Sequence, residues 1–306
     1  MNDMDRRLVM IGGLAMVGGC STPSAAREAS DVTSTGRSND LLTVSAHIGD
    51  SAPLQFAIDS AANASVIADD LAQRLMLPPG GPIFMNTLIA RETVQTVIAP
   101  RFRSGALDVS PVRLALGVRD ALGADGLIGT DLLADLRLDL RFRRIQRMRI
   151  THSRARGAGG FFDLRRSRVR ITSASEQRFG QICTITAHVG QTPVVAILDT
   201  GAEISIGNTA LARASRAIPQ LFSNGERIAQ IQSPTGLKAD ASLQLVSGFR
   251  VAGTSLKQFP LLINDLHTFN LWGLSETPAM LLGVDMLGLF ESVAIDLRRG
   301  EVTFQT

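Results

Sequence analysis

Two aspartates occupy equivalent positions in an internal repeat of the sequence. Residues 41–61, LLTVSAHIGDSAPLQFAIDSA, match residues 182–202, ICTITAHVGQTPVVAILDTGA, with one residue gained or lost in the turn. An apolar run precedes Asp59 in the first copy and Asp199 in the second. Two carboxyl groups held close together share one proton, because both cannot ionise readily. Such a pair can serve as base and acid for a water molecule that attacks a carbonyl carbon.

The pattern around the two aspartates predicts the elements that carry them. Both copies alternate apolar and polar residues and turn at Gly49 or Gly190, close to a proline. This alternation is typical of a β-hairpin with one face buried. Each aspartate is therefore predicted to end the second strand of a hairpin.

A second pair of matching segments extends the repeat. Residues 126–150 match residues 281–304, so the repeated unit covers most of each half of the chain. In each copy a buried strand is predicted to end at a glycine, Gly129 or Gly283. Four aspartates of these segments are assigned to structure: Asp131 and Asp285 as caps of short helices, and Asp139 and Asp296 at the start of closing hairpins.

The loop at 197–202, Ile-Leu-Asp-Thr-Gly-Ala, resembles the catalytic motif of the retropepsin-like and pepsin-like aspartic peptidases. That family has two hydrophobic residues, then Asp-(Thr/Ser)-Gly-(Ala/Ser), and a later hydrophobic-hydrophobic-Gly segment, to which 281–283 is similar. The first copy reads Ala-Ile-Asp-Ser-Ala-Ala at 57–62, with Leu-Ile-Gly at 127–129. It departs from the family at Ala61, where the family has glycine.

The resemblance implies an all-β, bilobed acid-protease fold made of two repeated β-barrel-like lobes. It implies that Asp59 and Asp199 are catalytic and that no metal or other cofactor takes part. The supporting residues of the active-site loops are Ser60, Ala61, Thr200, Gly201 and Ala202. By the same resemblance, the hydroxyls of Ser60 and Thr200 would reach across the lobe interface to the backbone of the opposite loop.

The family also has a hairpin flap over its cleft, and one segment of the second half has suitable turn chemistry. The candidate substrate flap consists of Ser233, Pro234, Thr235 and Gly236. The alternative is an ordinary surface hairpin. In the first half, the corresponding region lies within 82–96.

The amino terminus predicts export. Basic residues precede an apolar run at 8–17, which has the length of a signal-peptide core and is too short to span a bilayer. Residues 17–20, Val-Gly-Gly-Cys, resemble a bacterial lipobox, so Cys20 is the predicted lipidation site and the lipid is the predicted membrane contact. Ser21 favours an outer-membrane destination. We therefore expect a lipid-anchored protein on the periplasmic side of a bacterial membrane.

The same patterns divide the chain into five parts. We predict a lipoprotein signal peptide at 1–19, a flexible tether at 20–40, a first lobe at 41–150, an Arg/Gly-rich linker at 151–175 and a second lobe at 176–306. Because one chain supplies both lobes, a monomer is expected.

Positive charge is concentrated where the two copies join. Residues 137–170 contain 12 arginines and two aspartates, a local charge of +10. A solvated hairpin face with its linker explains this charge, and contact with anionic lipid headgroups is the alternative. Nucleic acid is not expected as a partner, because no recognition motif accompanies the charge and only 5% of residues are aromatic.

These observations predict an aspartic endopeptidase that cleaves extended polypeptides in the cell envelope. The alternative, motivated by Ala61, is a catalytically weak or inactive pseudopeptidase that binds peptides. A structural lipoprotein whose aspartates only close turns is a third interpretation. The four histidines lack metal-ligand spacing, and no Gly-rich phosphate loop follows a predicted strand.

Overall fold

The computed structural model describes most of the two repeated halves. The described residues are 37–38, 41–142, 147–153, 166–170 and 182–306. The predicted signal peptide, the predicted lipidation site at Cys20 and most of the predicted tether lie outside them, as does much of the Arg-rich stretch. Strands dominate both halves, and the predicted all-β, bilobed aspartic-protease fold is confirmed.

The strands of the first half are β1 Arg37–Ser38, β2 Leu41–Ile48, β3 Leu54–Ile58, β4 Val66–Ala68, β5 Pro79–Asn86, β6 Arg91–Ala99, β7 Phe102–Ser104, β8 Leu107–Val109, β9 Val112–Gly117 and β10 Gly126–Ile128. Those at the junction are β11 Leu136–Arg141, β12 Arg147–His152 and β13 Arg166–Arg170. The second half has β14 Thr184–Val189, β15 Thr192–Leu198, β16 Ile206–Gly207, β17 Ile218–Pro219, β18 Ile228–Gln232, β19 Lys238–Val251, β20 Thr254–Ile263, β21 Ala279–Leu282, β22 Ser292–Asp296 and β23 Glu301–Gln305.

The helices are short and lie between strands. They are α1 Asp69–Arg74, α2 Arg119–Leu122, α3 Thr130–Leu133, α4 Thr209–Ser215, α5 His267–Leu271 and α6 Val284–Leu287. None of these described helices is both long and apolar enough to cross a membrane.

The hairpin predicted at the start of each copy is confirmed. Strands β2 and β3 pair antiparallel, as do β14 and β15. The turns use Gly49 at φ +55° and Gly190 at φ +58°, a left-handed conformation in which a side chain would be strained. The apolar positions of β3 and β15 face inward and are buried up to the residue before each aspartate.

The second matched segment of each copy lies beside the strand that carries the aspartate. Strand β10 pairs parallel with β3 and antiparallel with β4, while β21 pairs in the same way with β15 and β16. Strands buried on both faces need apolar residues at successive positions, which 126–128 and 279–282 supply. The two lobes therefore repeat one topology around their aspartates.

A five-stranded sheet joins the lobes, in the order β12-β11-β22-β23-β13. Its central pairing joins β11 of the first half to β22 of the second, with Leu138 opposite Ile295. Residues 166–170, within the predicted linker, form its edge strand β13. Part of the predicted linker therefore belongs to the shared sheet.

The hydrophobic core is also shared between the lobes. One buried cluster runs from Phe56 in the first lobe through Leu138 in the shared sheet to Phe249 in the second lobe. A second cluster, which includes Ile197 and Phe269, lies within the second lobe. Each fully buried Phe or Ile side chain stabilises the fold by about 1.5–3 kcal/mol. The lobes are thus held together by apolar packing as well as by strand pairing.

The prediction that Asp131 and Asp285 cap short helices is wrong. The helix-capping positions are Gly129 and Gly283, and no side chain binds there as a cap. Each aspartate instead accepts a 2.7 Å hydrogen bond from the hydroxyl of a serine distant in sequence, Ser65 for Asp131 and Ser205 for Asp285. Both carboxylates therefore tie the short helix after the apolar-Gly segment to the end of the active-site loop.

The two aspartates assigned to closing hairpins behave differently. Asp296 ends β22 and accepts a hydrogen bond of 3.1 Å from the backbone N–H of Arg299 in the turn, as predicted. Asp139 lies inside β11, where its carboxylate accepts hydrogen bonds from Arg137 and Thr151. Its predicted position at the start of a hairpin is wrong, since the regular strand continues past it.

Candidate active site

The two aspartates lie just beyond the ends of β3 and β15. The backbone N–H of Asp59 donates to the carbonyl of Ile128 at 2.9 Å, and that of Asp199 donates to the carbonyl of Leu282 at 3.1 Å. Strand pairing thus continues up to each aspartate, after which the chain turns into a loop. The parallel neighbour strand fixes where each loop begins.

Hydrogen bonds between the two loops join the lobes at their centre. The Ser60 hydroxyl donates to the carbonyl of Leu198 at 2.6 Å, and the Thr200 hydroxyl donates to the carbonyl of Ile58 at 2.7 Å. Each hydroxyl oxygen also accepts a bond from the backbone N–H of the other residue, at 3.1 Å for Thr200 and 3.2 Å for Ser60. Both side chains are buried. These are the cross-lobe contacts that the family resemblance implies for the two hydroxyls.

Asp59 and Asp199 lie side by side and hydrogen-bond to each other. Each carboxylate also accepts bonds from the backbone amides two and three residues further along the chain. These bonds measure 2.8 and 2.7 Å at Asp59, and 2.9 and 3.1 Å at Asp199. The fold therefore brings together the two residues that the sequence singles out and fixes their orientation with main-chain donors.

Burial dominates the electrostatics of the pair. It raises the pKa of Asp199 well above the usual range, and the neighbouring charge of Asp59 raises it further. Burial also raises the pKa of Asp59, against the lowering effect of the Ala61 and Ala62 amides and of the bond from Asp199. A pair in this environment holds one proton over a range in which an ordinary aspartate is ionised.

Gly201 is required for space. A Cβ atom at this position would lie 2.6 Å from both Cγ and Oδ2 of Asp59, well inside contact distance. Ala61 occupies the equivalent place in the first loop and carries that carbon. Neither residue is among those with a positive φ in the described part of the chain, so the methyl group of Ala61 causes no backbone strain.

A cavity opens above the two carboxylates. Ala61, Gly201 and Ala202 line it beside the aspartates. The first lobe supplies an aliphatic wall that consists of Val66, Met85, Leu122 and Leu127. Polar groups come from Asn63, Asn86, Thr87, Gln232 and Thr268. These walls were not identified from the sequence, because their members are distant in the chain.

Two hairpins, one from each lobe, border this cavity. The predicted flap forms the turn between β18 and β19, with Gly236 at φ +91°, and Pro234 lines the cavity. In the first lobe, β5 and β6 form the corresponding hairpin; its turn lies within the predicted region 82–96, and its residues 85–88 line the cavity. The structure thus places both segments beside the dyad.

Each hairpin tip rests on the opposite lobe. The carbonyl of Pro234 accepts a bond of 3.0 Å from Val118 N–H, next to α2 of the first lobe. The carbonyl of Leu88 accepts a bond of 3.3 Å from Thr268 N–H, in α5 of the second lobe. Both contacts lie near the start of a short helix that follows the strand beside the active-site loop, so the cavity is roofed from both sides.

Glu92 connects the two hairpins directly. Its carboxylate accepts a 2.8 Å hydrogen bond from the hydroxyl of Thr235 in the second-lobe turn, and a 3.4 Å bond from Thr87 in its own hairpin. The Thr235 hydroxyl is also 2.7 Å from that of Ser233. No signal in the sequence marks Glu92, because its partner lies 143 residues away.

The described residues offer no group of three or more His, Cys, Asp or Glu side chains that could hold a metal ion. Cys183, the only cysteine among them, is buried in the core, and burial raises the pKa of its thiol to about 12. The ionisable side chains that line the cavity are those of Asp59 and Asp199.

Comparison with protein families gives a match to the family described as aspartyl protease, over residues 44–132 and 185–286. The two regions correspond to the two copies of the repeat, contain Asp59 and Asp199 respectively, and together cover more than half of the chain. Comparison with curated proteins gives no match.

Proposed function

Because the chain belongs to the aspartyl protease family, we propose that it is an endopeptidase that hydrolyses peptide bonds with the Asp59/Asp199 pair and an activated water molecule. One observation carries the proposal. The carboxyl groups of these two residues hydrogen-bond to each other at the floor of a cavity roofed by two hairpins. A pair that shares one proton supplies the base and the acid that the reaction needs.

The reaction follows from the arrangement of the pair. The ionised carboxylate takes a proton from water as the water oxygen attacks the peptide carbonyl carbon. The protonated carboxyl hydrogen-bonds the carbonyl oxygen while that oxygen gains charge. When the tetrahedral intermediate collapses, the C–N bond breaks and a proton passes to the leaving nitrogen. The Ser60 and Thr200 bonds keep the two carboxyl groups at working distance throughout.

The roof and walls of the cavity favour an extended peptide as the substrate. Two hairpins of opposite lobes can offer main-chain groups to a peptide that lies between them as a strand would. The aliphatic wall, which includes Met85 and Leu127, can bury an apolar side chain of the substrate. Full burial of such a side chain contributes about 1.5–3 kcal/mol to the free energy of binding.

The place of action is part of the proposal. We propose that the protein is exported and anchored through a lipid on Cys20, on the periplasmic side of a bacterial membrane, with the outer membrane favoured. The motif at 17–20 supports this location. Both aspartates come from one chain, which supports a monomeric, two-lobed relative of the retropepsins. Contact of 137–170 with anionic lipids is a further proposal that rests on their charge.

A peptide-binding pseudopeptidase is the second candidate function. Ala61, in place of the family's glycine, favours it, and so do the two hairpin tips that rest on the opposite lobes. This candidate keeps the cavity and its walls but lacks turnover. It predicts that the protein binds peptides without cleaving them.

Cleavage of a diverse peptide library from acidic to neutral pH tests the two candidates. We expect the full chain to cleave, and Asp59→Asn and Asp199→Asn each to lower kcat/KM by at least about 10²–10⁴-fold. Asp50→Asn is the matched control, since this exposed aspartate lies in a hairpin turn of the first lobe. Peptide binding without cleavage by the folded wild type favours the pseudopeptidase. Cleavage that survives both active-site substitutions refutes the dyad mechanism.

A further inference from the structure

The two active-site loops differ at one position, and at that position the second loop has no space for a side chain. The Gly201 backbone approaches Asp59 so closely that an added Cβ would lie 2.6 Å from its Cγ. The equivalent residue of the other loop, Ala61, carries a methyl group. If the loops were related by a perfect two-fold axis, that methyl group would collide with Asp199. The two carboxyl groups therefore cannot have identical surroundings.

The surroundings of the two carboxyl groups differ in the same sense. Only 1% of Asp199 is exposed, whereas Asp59 is partly exposed. Ala61 packs against the apolar cluster of the second lobe, the lobe that carries Asp199. Ala61 and Asp199 line the same cavity, so the methyl group takes up space in that cavity that water would otherwise fill. Removing water from a carboxyl group favours its neutral form.

Hydrogen bonding adds a second, independent asymmetry. The two amides that bind Asp59 do so at 2.8 and 2.7 Å, but those that bind Asp199 do so at 2.9 and 3.1 Å. Short bonds from amides to a carboxylate stabilise its negative charge. The geometry thus favours the charge on Asp59 and the proton on Asp199.

We propose that Ala61 is a positioning residue that keeps the shared proton on Asp199 and leaves Asp59 as the base. Within the proposed peptidase reaction, Asp59 then takes the proton from water, and Asp199 donates to the carbonyl oxygen and later to the leaving nitrogen. The direction of the pKa of Asp199, raised well above the usual range by burial and by the Asp59 charge, agrees with this assignment.

The two nearest carboxyl groups outside the pair, Asp131 and Asp285, bind Ser65 and Ser205 at the ends of the active-site loops and do not line the cavity. Among the residues that line the cavity, Asp59 and Asp199 are the only ones with ionisable side chains. Other ionisable groups on the surrounding elements lie outside the lining: Arg91 and Glu92 on β6, Arg119 and Asp120 on α2, Glu203 after β15, and His267 on α5. A change in the titration of the pair after substitution of Ala61 therefore reports on the lost methyl group.

The test follows the two carboxyl carbons by NMR as the pH is varied, in the full chain labelled at aspartate and in its variants. In the wild type, Asp199 should titrate at higher pH than Asp59. Ala61→Gly admits water beside Asp199, and we expect its midpoint to fall by about half a unit to one unit. The substitution restores the residue that the second copy already has, so the loop can fold.

Ala64→Gly is the matched control, because it makes the same backbone change in the same loop, removes a methyl group that also lines the cavity, and leaves the Ala61 methyl group and both amides that bind Asp59 in place. It should keep the wild-type difference between the two midpoints. The proposal is overturned if Asp59 titrates last in the wild type, if Ala61→Gly moves neither midpoint, or if Ala64→Gly produces the same shift.

Activity gives a second test that is separable from the first. If the chain cleaves peptides, Ala61→Gly should move the basic limb of its kcat/KM profile to lower pH by the same amount, because the acid loses its proton earlier. If the chain cleaves nothing while the titration behaves as expected, the peptidase proposal fails and the assignment of the proton stands.

Discussion

Replacing Thr200 with valine should destabilise the junction between the lobes at nearly constant side-chain volume. The Thr200 hydroxyl donates to the carbonyl of Ile58 at 2.7 Å and accepts from the N–H of Ser60 at 3.1 Å. Thr200 is 1% exposed, and its methyl group can be retained by valine. The substitution therefore removes two hydrogen bonds from a buried site and adds no new polar group.

The magnitude follows from the two partners that are left behind. Each buried donor or acceptor that loses its partner costs about 1–3 kcal/mol. With two such groups, the expected loss is about 2–6 kcal/mol, a large part of the 5–15 kcal/mol that is typical for a folded domain. Urea unfolding followed by circular dichroism measures this loss. Thr186→Val is the matched control, because Thr186 lies exposed on β14 and should change stability by less than about 0.5 kcal/mol.

The mirror-image substitution sharpens the test. Ser60→Ala removes the bonds at 2.6 and 3.2 Å. Because all four bonds form one network between the same two loops, the double variant with Thr200→Val should lose less stability than the sum of the single variants. A loss below about 0.5 kcal/mol for Thr200→Val, or strict additivity, would refute the reasoning that these hydroxyls act as one junction.

Burial of the dyad should make the protein less stable as pH rises. The folded state holds the pKa of Asp199 well above 3.8, so the unfolded chain loses its proton first, and stability falls from about that pH upwards. Asp199→Asn should make this fall smaller in urea unfolding across pH, while the pKa values of Asp131 and Asp285, which burial also raises, preserve part of it. Gly201→Ala places a carbon 2.6 Å from Asp59, and calorimetry should show a loss of about 1–3 kcal/mol. Glu92→Ala removes the bridge between the two hairpins that roof the cavity. Trp272, the only tryptophan, follows α5, the helix on which the first-lobe hairpin rests. Quenching of Trp272 fluorescence by acrylamide should therefore increase.

The repeat made the centre of the site predictable from the sequence. Asp59 and Asp199 end matched apolar strands, and each strand needs a buried neighbour, which the second matched segment supplies. Local patterning fixes such hairpins and loops, because alternation of apolar residues and turn glycines acts over a few positions. The fold class followed from the same pattern together with the family resemblance, and it is confirmed.

Predictions from the local sequence pattern were wrong where a polar residue has a hydrogen-bond or strand partner that is distant in the sequence. The residues around Asp131 suggest a helix cap, but its carboxylate accepts a hydrogen bond from Ser65, 66 residues away in the sequence. Asp139 looks like a hairpin residue, yet pairing with β22 of the other half keeps it inside a strand. In both cases a tertiary contact outweighs the local preference, since a buried or half-buried carboxylate must find donors wherever the fold provides them.

The sequence by itself determined the two aspartates, their hydroxyl neighbours and the strands that carry them. It also predicts a lipid anchor at Cys20 and offers contact with anionic lipids as one interpretation of the charged stretch at 137–170, and both stay predictions. Only the tertiary structure decided what roofs and walls the cavity, because Glu92 meets Thr235 across 143 residues of chain. It also decided that Gly201 lies against Asp59 of the opposite lobe, where an added carbon would be 2.6 Å from the carboxyl group, because only the folded chain brings the two loops together.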